Sequence, residues 1–90
     1  MQIDWSDEAR NDLASVIGYI AERHPQAAKS LRRSIEEALT PALEHPYLYR
    51  RGKVAGTREI VVHPNYILVY RVLPGLLEVL RVLHARQNYP

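Results

Sequence analysis

Gly56-Thr57-Arg58-Glu59-Ile60-Val61-Val62-His63-Pro64-Asn65-Tyr66-Ile67-Leu68-Val69-Tyr70-Arg71-Val72-Leu73-Pro74-Gly75-Leu76-Leu77-Glu78-Val79-Leu80-Arg81-Val82-Leu83-His84 is the stretch that decides the fold. It divides into three runs rich in β-branched and aromatic residues, at 57–63, 66–72 and 77–84, none long enough between its breakers to be a helix. Pro64-Asn65 separates the first pair and Pro74-Gly75 the second. Proline fixes φ, and Asn or Gly accepts the left-handed backbone that a tight reversal needs. The result is two connected antiparallel hairpins. Their near-continuous apolar character predicts cover on both faces of the sheet, because a sheet open to water on one side alternates cleanly. One cover must be helical, and the other is open to a partner.

Upstream, Met1-Gln2-Ile3-Asp4-Trp5 alternates so that Ile3 and Trp5 share one face of a strand added to that sheet. Ser6 is a favoured N-cap, and Asp7 and Glu8 put negative charge in the first turn, where the helix dipole favours it. Ala9, Leu13, Val16, Ile17 and Ile20 then form one apolar stripe. Arg23-His24-Pro25 ends this helix and starts another at about Pro25, since proline holds His24 extended and fits the first turn of a new helix. The second helix runs to about Glu44 and buries Ala28, Leu31, Ile35, Ala38, Leu39 and Ala42. Pro41 inside it predicts a kink or a fresh start capped by Thr40. His45-Pro46 is a stop, Tyr47 to Gly56 a loop mixing aromatic and basic residues, and residues 85–90 a short tail. The fold class is α+β, an antiparallel sheet of an N-terminal strand plus a three-stranded meander, packed against a two-helix hairpin. One domain spans residues 1–90.

Composition bounds the function. Ninety residues hold one core with little stability to spare, and 47% apolar with 24% charged residues is ordinary for a globular chain. Cysteine is absent, which removes disulfides, thiolate nucleophiles and Cys-based zinc sites together. No His pair has metal-ligand spacing, so neither a metal nor another cofactor is expected. The start has no signal-peptide pattern and no segment is long enough to span a bilayer, which makes the cytoplasm the expected compartment. Net charge is only +2, but ten of the 12 basic residues are Arg, the side chain suited to bidentate contact with phosphate or carboxylate.

Trp5, Asp12-Leu13, Ile17, Tyr19-Ile20, the exit Glu44-His45-Pro46-Tyr47-Leu48-Tyr49, Gly56-Thr57-Arg58-Glu59-Ile60-Val61, His63-Pro64-Asn65-Tyr66-Ile67, Val69-Tyr70-Arg71-Val72, Val82-Leu83-His84-Ala85-Arg86 and the closing Pro90 together resemble the ParE-type toxins of the RelE/ParE superfamily. These are the toxic halves of bacterial type II toxin–antitoxin pairs. The resemblance covers nearly the whole chain. It implies a cognate antitoxin encoded by an adjacent gene, and DNA gyrase as the target, bound and poisoned without catalysis. The alternative within the superfamily is a RelE-like mRNA interferase acting on the ribosome. In such enzymes one cleavage arginine directly precedes the Leu-Val-Tyr of the middle strand. Here that position is Ile67, which removes a guanidinium whose transition-state role would be on the order of 3 kcal/mol. His84 and Arg86 lie near the other cleavage positions and are the catalytic candidates under that alternative.

Beside the resemblance, each residue has its own reading. A free imidazole at His84 suits general-base chemistry, whereas a backbone hydrogen bond at the strand end explains it without chemistry. Arg58 and Arg86 are expected to meet at one end of the sheet and bind a phosphate or an acidic partner. With His84 and Tyr89 they form the expected target-binding set, the tail carrying Arg86 and Tyr89 away from a rigid strand. Arg50, Arg51 and Lys53 with Tyr47 and Tyr49 have the make-up of a nucleic-acid patch, although a solvated loop is the plainer account. Alternation puts Arg81 on the same side as Leu77, Val79 and Leu83 and opposite His84. Buried among them it needs a carboxylate, and Asp12 is the nearest by pattern, as a structural ion pair.

Overall fold

The computed structural model describes residues 1–89; the closing Pro90 of the resemblance lies outside them. The chain runs β1 (Gln2–Trp5), α1 (Asp7–Arg23), α2 (Pro25–Glu44), β2 (Arg50–Arg51), β3 (Thr57–His63), β4 (Tyr66–Leu73) and β5 (Leu76–His84). The five strands form one sheet in the order β1-β5-β4-β3-β2. β2 to β5 pair antiparallel, each hairpin reversing where the breakers stand, with Gly75 at a φ of +69°, whereas Asn65 has no positive φ and so does not take the left-handed backbone expected of it. β1 departs from the antiparallel expectation by joining β5 in parallel, Ile3 opposite Leu77 and Trp5 opposite Val79. Alternation in a short strand fixes which face it buries and not which way it runs. The parallel ladder is closed at both ends, by the Gln2 N–H on the Gly75 carbonyl at 3.0 Å and by Ser6, whose N–H donates to the Val79 carbonyl at 2.9 Å and whose hydroxyl donates to the Leu80 carbonyl at 3.0 Å.

The same Ser6 oxygen accepts the Ala9 N–H at 3.0 Å, so one side chain both caps α1 and closes the edge of β5. At the helix junction His24 caps α2 through Nδ1, which accepts the Ala27 N–H at 3.3 Å, and Pro25 opens the first turn. Pro41 neither breaks α2 nor starts a new helix, and Thr40 is an interior residue, not a cap. The expected restart fails because Pro41 lies in the last turn, where only one backbone donor is lost and the His45 N–H still reaches the Pro41 carbonyl at 2.8 Å.

The helix hairpin covers one face. Leu31, Ile35, Leu39 and Ala42 of α2 and Ala9 of α1 pack on Ile60, Val62, Leu68, Tyr70, Leu77 and Val79. Leu68, Tyr70, Leu77 and Val79 are completely buried, and each such side chain is worth about 1.5–3 kcal/mol relative to exposure. The opposite face carries a smaller apolar group, Ile67, Val69 and Leu83, and Tyr89 from the tail packs on it. The second cover predicted from the continuous apolar strands is therefore, in part, the chain's own end.

A bulge in β5 explains how both faces are served. Val69 pairs with Arg81 but Tyr70 with Val79, so Leu80 has no partner on β4. The extra residue reverses the alternation. Leu77 and Val79 face the helices while Arg81, opposite Val69, and Leu83 turn to the other face, which corrects the expectation that all four share a side with Arg81 buried among them. The Tyr47–Gly56 segment is also more ordered than a loop, since Arg50 and Arg51 pair with Glu59 and Arg58 as a two-residue edge strand. The next residue must be glycine. A Cβ on Gly52 would come within 2.2 Å of Thr57 Oγ1, while Gly52 N–H donates to the Thr57 carbonyl at 2.8 Å.

Candidate target-binding site

The end of the sheet where β5 exits is a row of rings. His63, Tyr66 and His84 are cross-strand neighbours, with centroids 5.6 Å apart for the first pair and 5.5 Å for the second. Each imidazole also holds its own turn. His63 Nδ1 accepts the Asn65 N–H at 3.0 Å and His84 Nδ1 accepts the Arg86 N–H at 3.1 Å. Both contacts need the Nδ1 lone pair, so the ring presents only Nε2 for other work. His84 further lines a shallow groove of about 290 Å³ against α1, with Asp12, Tyr19, Tyr66 and Gln87 on its walls.

The tail beyond His84 is pinned and not splayed. Ala85 N–H donates to the Asn65 carbonyl at 2.7 Å and Gln87 N–H to the His84 carbonyl at 2.9 Å, which turns the chain back over the face opposite the helices. Arg86, Gln87 and Asn88 are exposed on this turn, whereas Tyr89 is only 8% exposed and packs with Ile67, Val69 and Leu83. The Lys53 ammonium lies 5.1 Å from the Tyr89 ring centroid. Among the described residues the Tyr89 hydroxyl and Glu59 Oε2 are buried without a hydrogen-bond partner. Tyr89 therefore does not project towards a target as expected, and is instead a packing residue. A lone aromatic five residues past a strand carries no periodicity that could place it.

Arg58 and Arg86 do not meet. Arg58 is opposite Tyr70 and His84 opposite Tyr66, four residues apart on β4, about 13 Å along the strand, and Arg86 lies further out. Arg58 serves the other end of the sheet, where its Nη1 donates to the carbonyls of Tyr47 at 3.3 Å and Tyr49 at 3.0 Å and ties down the exit from α2. Tyr70 assists from the next strand by donating to the Pro46 carbonyl. Burial pushes the Tyr70 phenol above its ordinary value, with Arg58 acting in the opposite direction.

Asp12 and Arg81 form a two-toothed pair, Nε to Oδ2 at 2.7 Å and Nη2 to Oδ1 at 3.2 Å. Asp12 Oδ2 also accepts the Val82 N–H at 3.0 Å, and Glu8 stands 3.7 Å from Nη1. The hydrogen bond to Asp12 holds the Arg81 guanidinium above its ordinary value. β1 covers β5 only as far as Val79, and beyond it Ser6 answers the Leu80 carbonyl and Asp12 the Val82 N–H on the open edge. Ile67, at the position where the resemblance implies a cleavage arginine in RNA-cutting relatives, is 7% exposed within the cluster that Tyr89 joins. Among the described residues no three His, Cys, Asp or Glu side chains gather as metal ligands, and no helix is long and apolar enough to cross a membrane.

This architecture has known counterparts. The chain is 34% identical over 86 residues to Toxin RelE2 of Caulobacter vibrioides, covering 93% of this chain and 94% of that protein. It is 33% identical over 90 residues to the putative toxin Y4kP of Sinorhizobium fredii, covering 99% and 93%. The fold superimposes on the chromosomal ParDE toxin–antitoxin system from P. aeruginosa with a TM-score of 0.79 at 20% identity, covering 93% of this chain and 95% of that one. The family described as the ParE toxin of the type II toxin–antitoxin system parDE matches residues 3–89, and so the chain belongs to that family, as a toxin of the ParE/RelE superfamily.

Proposed function

We propose that this toxin arrests growth by binding DNA gyrase and poisoning it, not by cutting RNA. The observation that carries the reading is Ile67. Where an RNA-cleaving relative would need a guanidinium facing the scissile phosphate, this chain has a buried apolar side chain packed with Tyr89. The electrostatic term lost with that guanidinium, on the order of 3 kcal/mol, is the largest that such a site has to offer. A binding poison needs only a rigid, exposed contact surface, and the pinned turn that displays Arg86 beside His84 provides one.

The toxin is silenced by a cognate antitoxin encoded beside it, a reading supported by the likeness to a ParDE toxin–antitoxin system. Two surfaces suit it. A groove of about 420 Å³ between α1 and α2, lined by Trp5, Leu13, Ile35 and Leu39 together with Arg10, Arg32 and Glu36, suits an amphipathic helix. β2 covers β3 only at Arg58 and Glu59, so the edge from Ile60 to His63 accepts an added strand. Co-expression with the adjacent small open reading frame should yield a complex that purifies as one species, and separation of the two would count against the pairing.

Supercoiling by purified gyrase, measured beside primer extension on ribosome-bound transcripts, tests the target. The expected result is loss of supercoiling with accumulated DNA breaks and intact transcripts. Transcript cleavage that disappears in His84→Ala, with supercoiling untouched, would establish the interferase alternative, with His84 and Arg86 as its catalytic residues.

A further inference from the structure

The opposite end of the sheet holds a charge arrangement that the toxin reading does not use. Arg51 and Arg58 are direct cross-strand partners on β2 and β3, so their side chains leave the same face side by side. Like charges directly opposed in a sheet are destabilising unless an anion lies between them. The neighbouring arginines have their answers: Glu59 stands 2.9 Å from Arg50, and Glu78 stands 2.7 Å from Arg71. Among the described residues no carboxylate comes within 4.0 Å of either Arg51 or Arg58.

Both arginines wall a cavity of about 450 Å³, together with Tyr47, Thr57 and Val72. Arg58 is held in place by the Tyr47 and Tyr49 carbonyls through Nη1, which leaves Nε and Nη2 oriented without having to be ordered by a ligand. The Arg58 guanidinium carbon lies 5.3 Å from the Tyr47 ring centroid, and that ring is 65% exposed at the mouth of the cavity. Gly52 and Gly56 bring backbone without side chains to the rim.

We propose that this cavity binds a nucleotide, its phosphate gripped between Arg51 and Arg58 and its base stacked on Tyr47. A carboxylate from an acidic peptide would answer the charge but leave the Tyr47 ring and most of the volume unfilled, whereas the volume is of the size that small-molecule sites show. Base-on-tyrosine stacking next to an arginine pair is how sequence-tolerant nucleotide contacts are made. The site is independent of the target proposed above, since it lies at the end of the sheet away from His84 and Arg86. The nucleotide comes either free or as part of a single strand, and the two sources are separable.

The test uses the purified full chain with two probes, thymidine 5′-monophosphate followed by amide chemical shifts and a labelled oligothymidylate followed by fluorescence anisotropy across salt concentrations. Shifts should concentrate at residues 51–58. Two phosphate contacts on a single strand predict a slope of about −1.4 in the log–log salt plot. Arg51→Ala should weaken binding about tenfold and reduce the slope by about 0.7. Arg51→Gln, which keeps the side-chain stem, should do the same if the alanine variant proves unstable. Tyr47→Ala should weaken both nucleotide probes while leaving inorganic phosphate unaffected. Oligonucleotide binding at least about tenfold tighter than the mononucleotide identifies a strand as the ligand, and near-equal affinities identify a free nucleotide. The proposal is overturned if neither probe moves the 51–58 amides, if both Arg51 variants bind as well as the parent, or if a polyglutamate peptide displaces the oligonucleotide at equal residue concentration, which would mark an acidic partner.

Discussion

The two faces of the sheet are closed by different means. On the helix side, five side chains from α1 and α2 interlock with six from the strands, and the contacts are held by elements of 17 and 20 residues. On the other side, Ile67, Val69 and Leu83 are covered by a single tyrosine at the end of a short tail, and Val61, opposite Ile67, remains 59% exposed. Two buried polar atoms, on Tyr89 and Glu59, find no partner among the described residues. Leaving such groups unsatisfied costs about 1–3 kcal/mol each. The inner face thus holds most of the buried contacts, while the outer face is closed by a segment with few of them, which predicts that this segment opens without unfolding the rest.

Damage to the inner face should be the most severe. Leu68→Ala, at a fully buried position on the central strand, should cost about 3–4 kcal/mol, read as a lower midpoint in urea unfolding with an unchanged slope. For a ninety-residue chain that is a large part of the whole. Next comes the pair that fastens α1 to β5. Asp12→Ala leaves the Arg81 guanidinium without its main anion and the Val82 N–H without an acceptor, and a loss of about 2–3 kcal/mol should result. Asp12→Asn should recover part of that loss, because the amide oxygen still accepts from Val82.

Smaller effects belong to the outer face. Tyr89→Ala should lower global stability by only about 1–2 kcal/mol, because the tail detaches before the core yields. Hydrogen exchange should rise at the Ala85 and Gln87 amides and stay unchanged in α2; rapid exchange throughout α2 would show that the two faces unfold as one. Deleting residues 86–90 removes the same cover, so it uncovers Ile67, Val69 and Leu83 besides removing Arg86. Arg86→Ala is the cleaner probe. Its side chain is exposed, so stability should change by less than about 0.5 kcal/mol, while growth arrest at equal expression should be lost and antitoxin binding retained. Full toxicity in this variant would move the target surface to the helices or to the 47–53 segment.

Legibility in the sequence depended on the range of the interaction that decides each feature. The hairpins were readable because Pro64-Asn65 and Pro74-Gly75 act on their own backbone, and α1 and α2 were readable because an apolar stripe every three to four residues needs no information about its partner. Asp12 and Arg81 do pair across 69 residues, but not for the reason the alternation gave: Arg81 stands opposite Val69, on the side of Leu83 and away from Leu77 and Val79, with its side chain 31% exposed, and it meets Asp12 at the open edge of β5. Arg58 was misplaced altogether. An arginine on a strand has many possible acceptors, and the carbonyls it uses become neighbours only after α2 has packed and its exit has been laid against β3.

Element order apart from the short edge strand β2, the two reversals, the amphipathic helix pair and the family are written in the chain, since each rests on local backbone preference, short-period patterning or a set of residues at fixed separations. The direction of β1, the side on which Leu83 lies and the place of Tyr89 arise only on folding. The direction of β1 shows only in its pairing with β5, where Gln2 N–H meets the Gly75 carbonyl and Ser6 the carbonyls of Val79 and Leu80. The side of Leu83 depends on one unpaired residue, Leu80, that shifts every side chain after it. Tyr89 lies where it does because the sheet leaves an apolar patch within reach of the turned-back tail, and hydrophobic attraction has no direction that a sequence can encode without the surface it acts on.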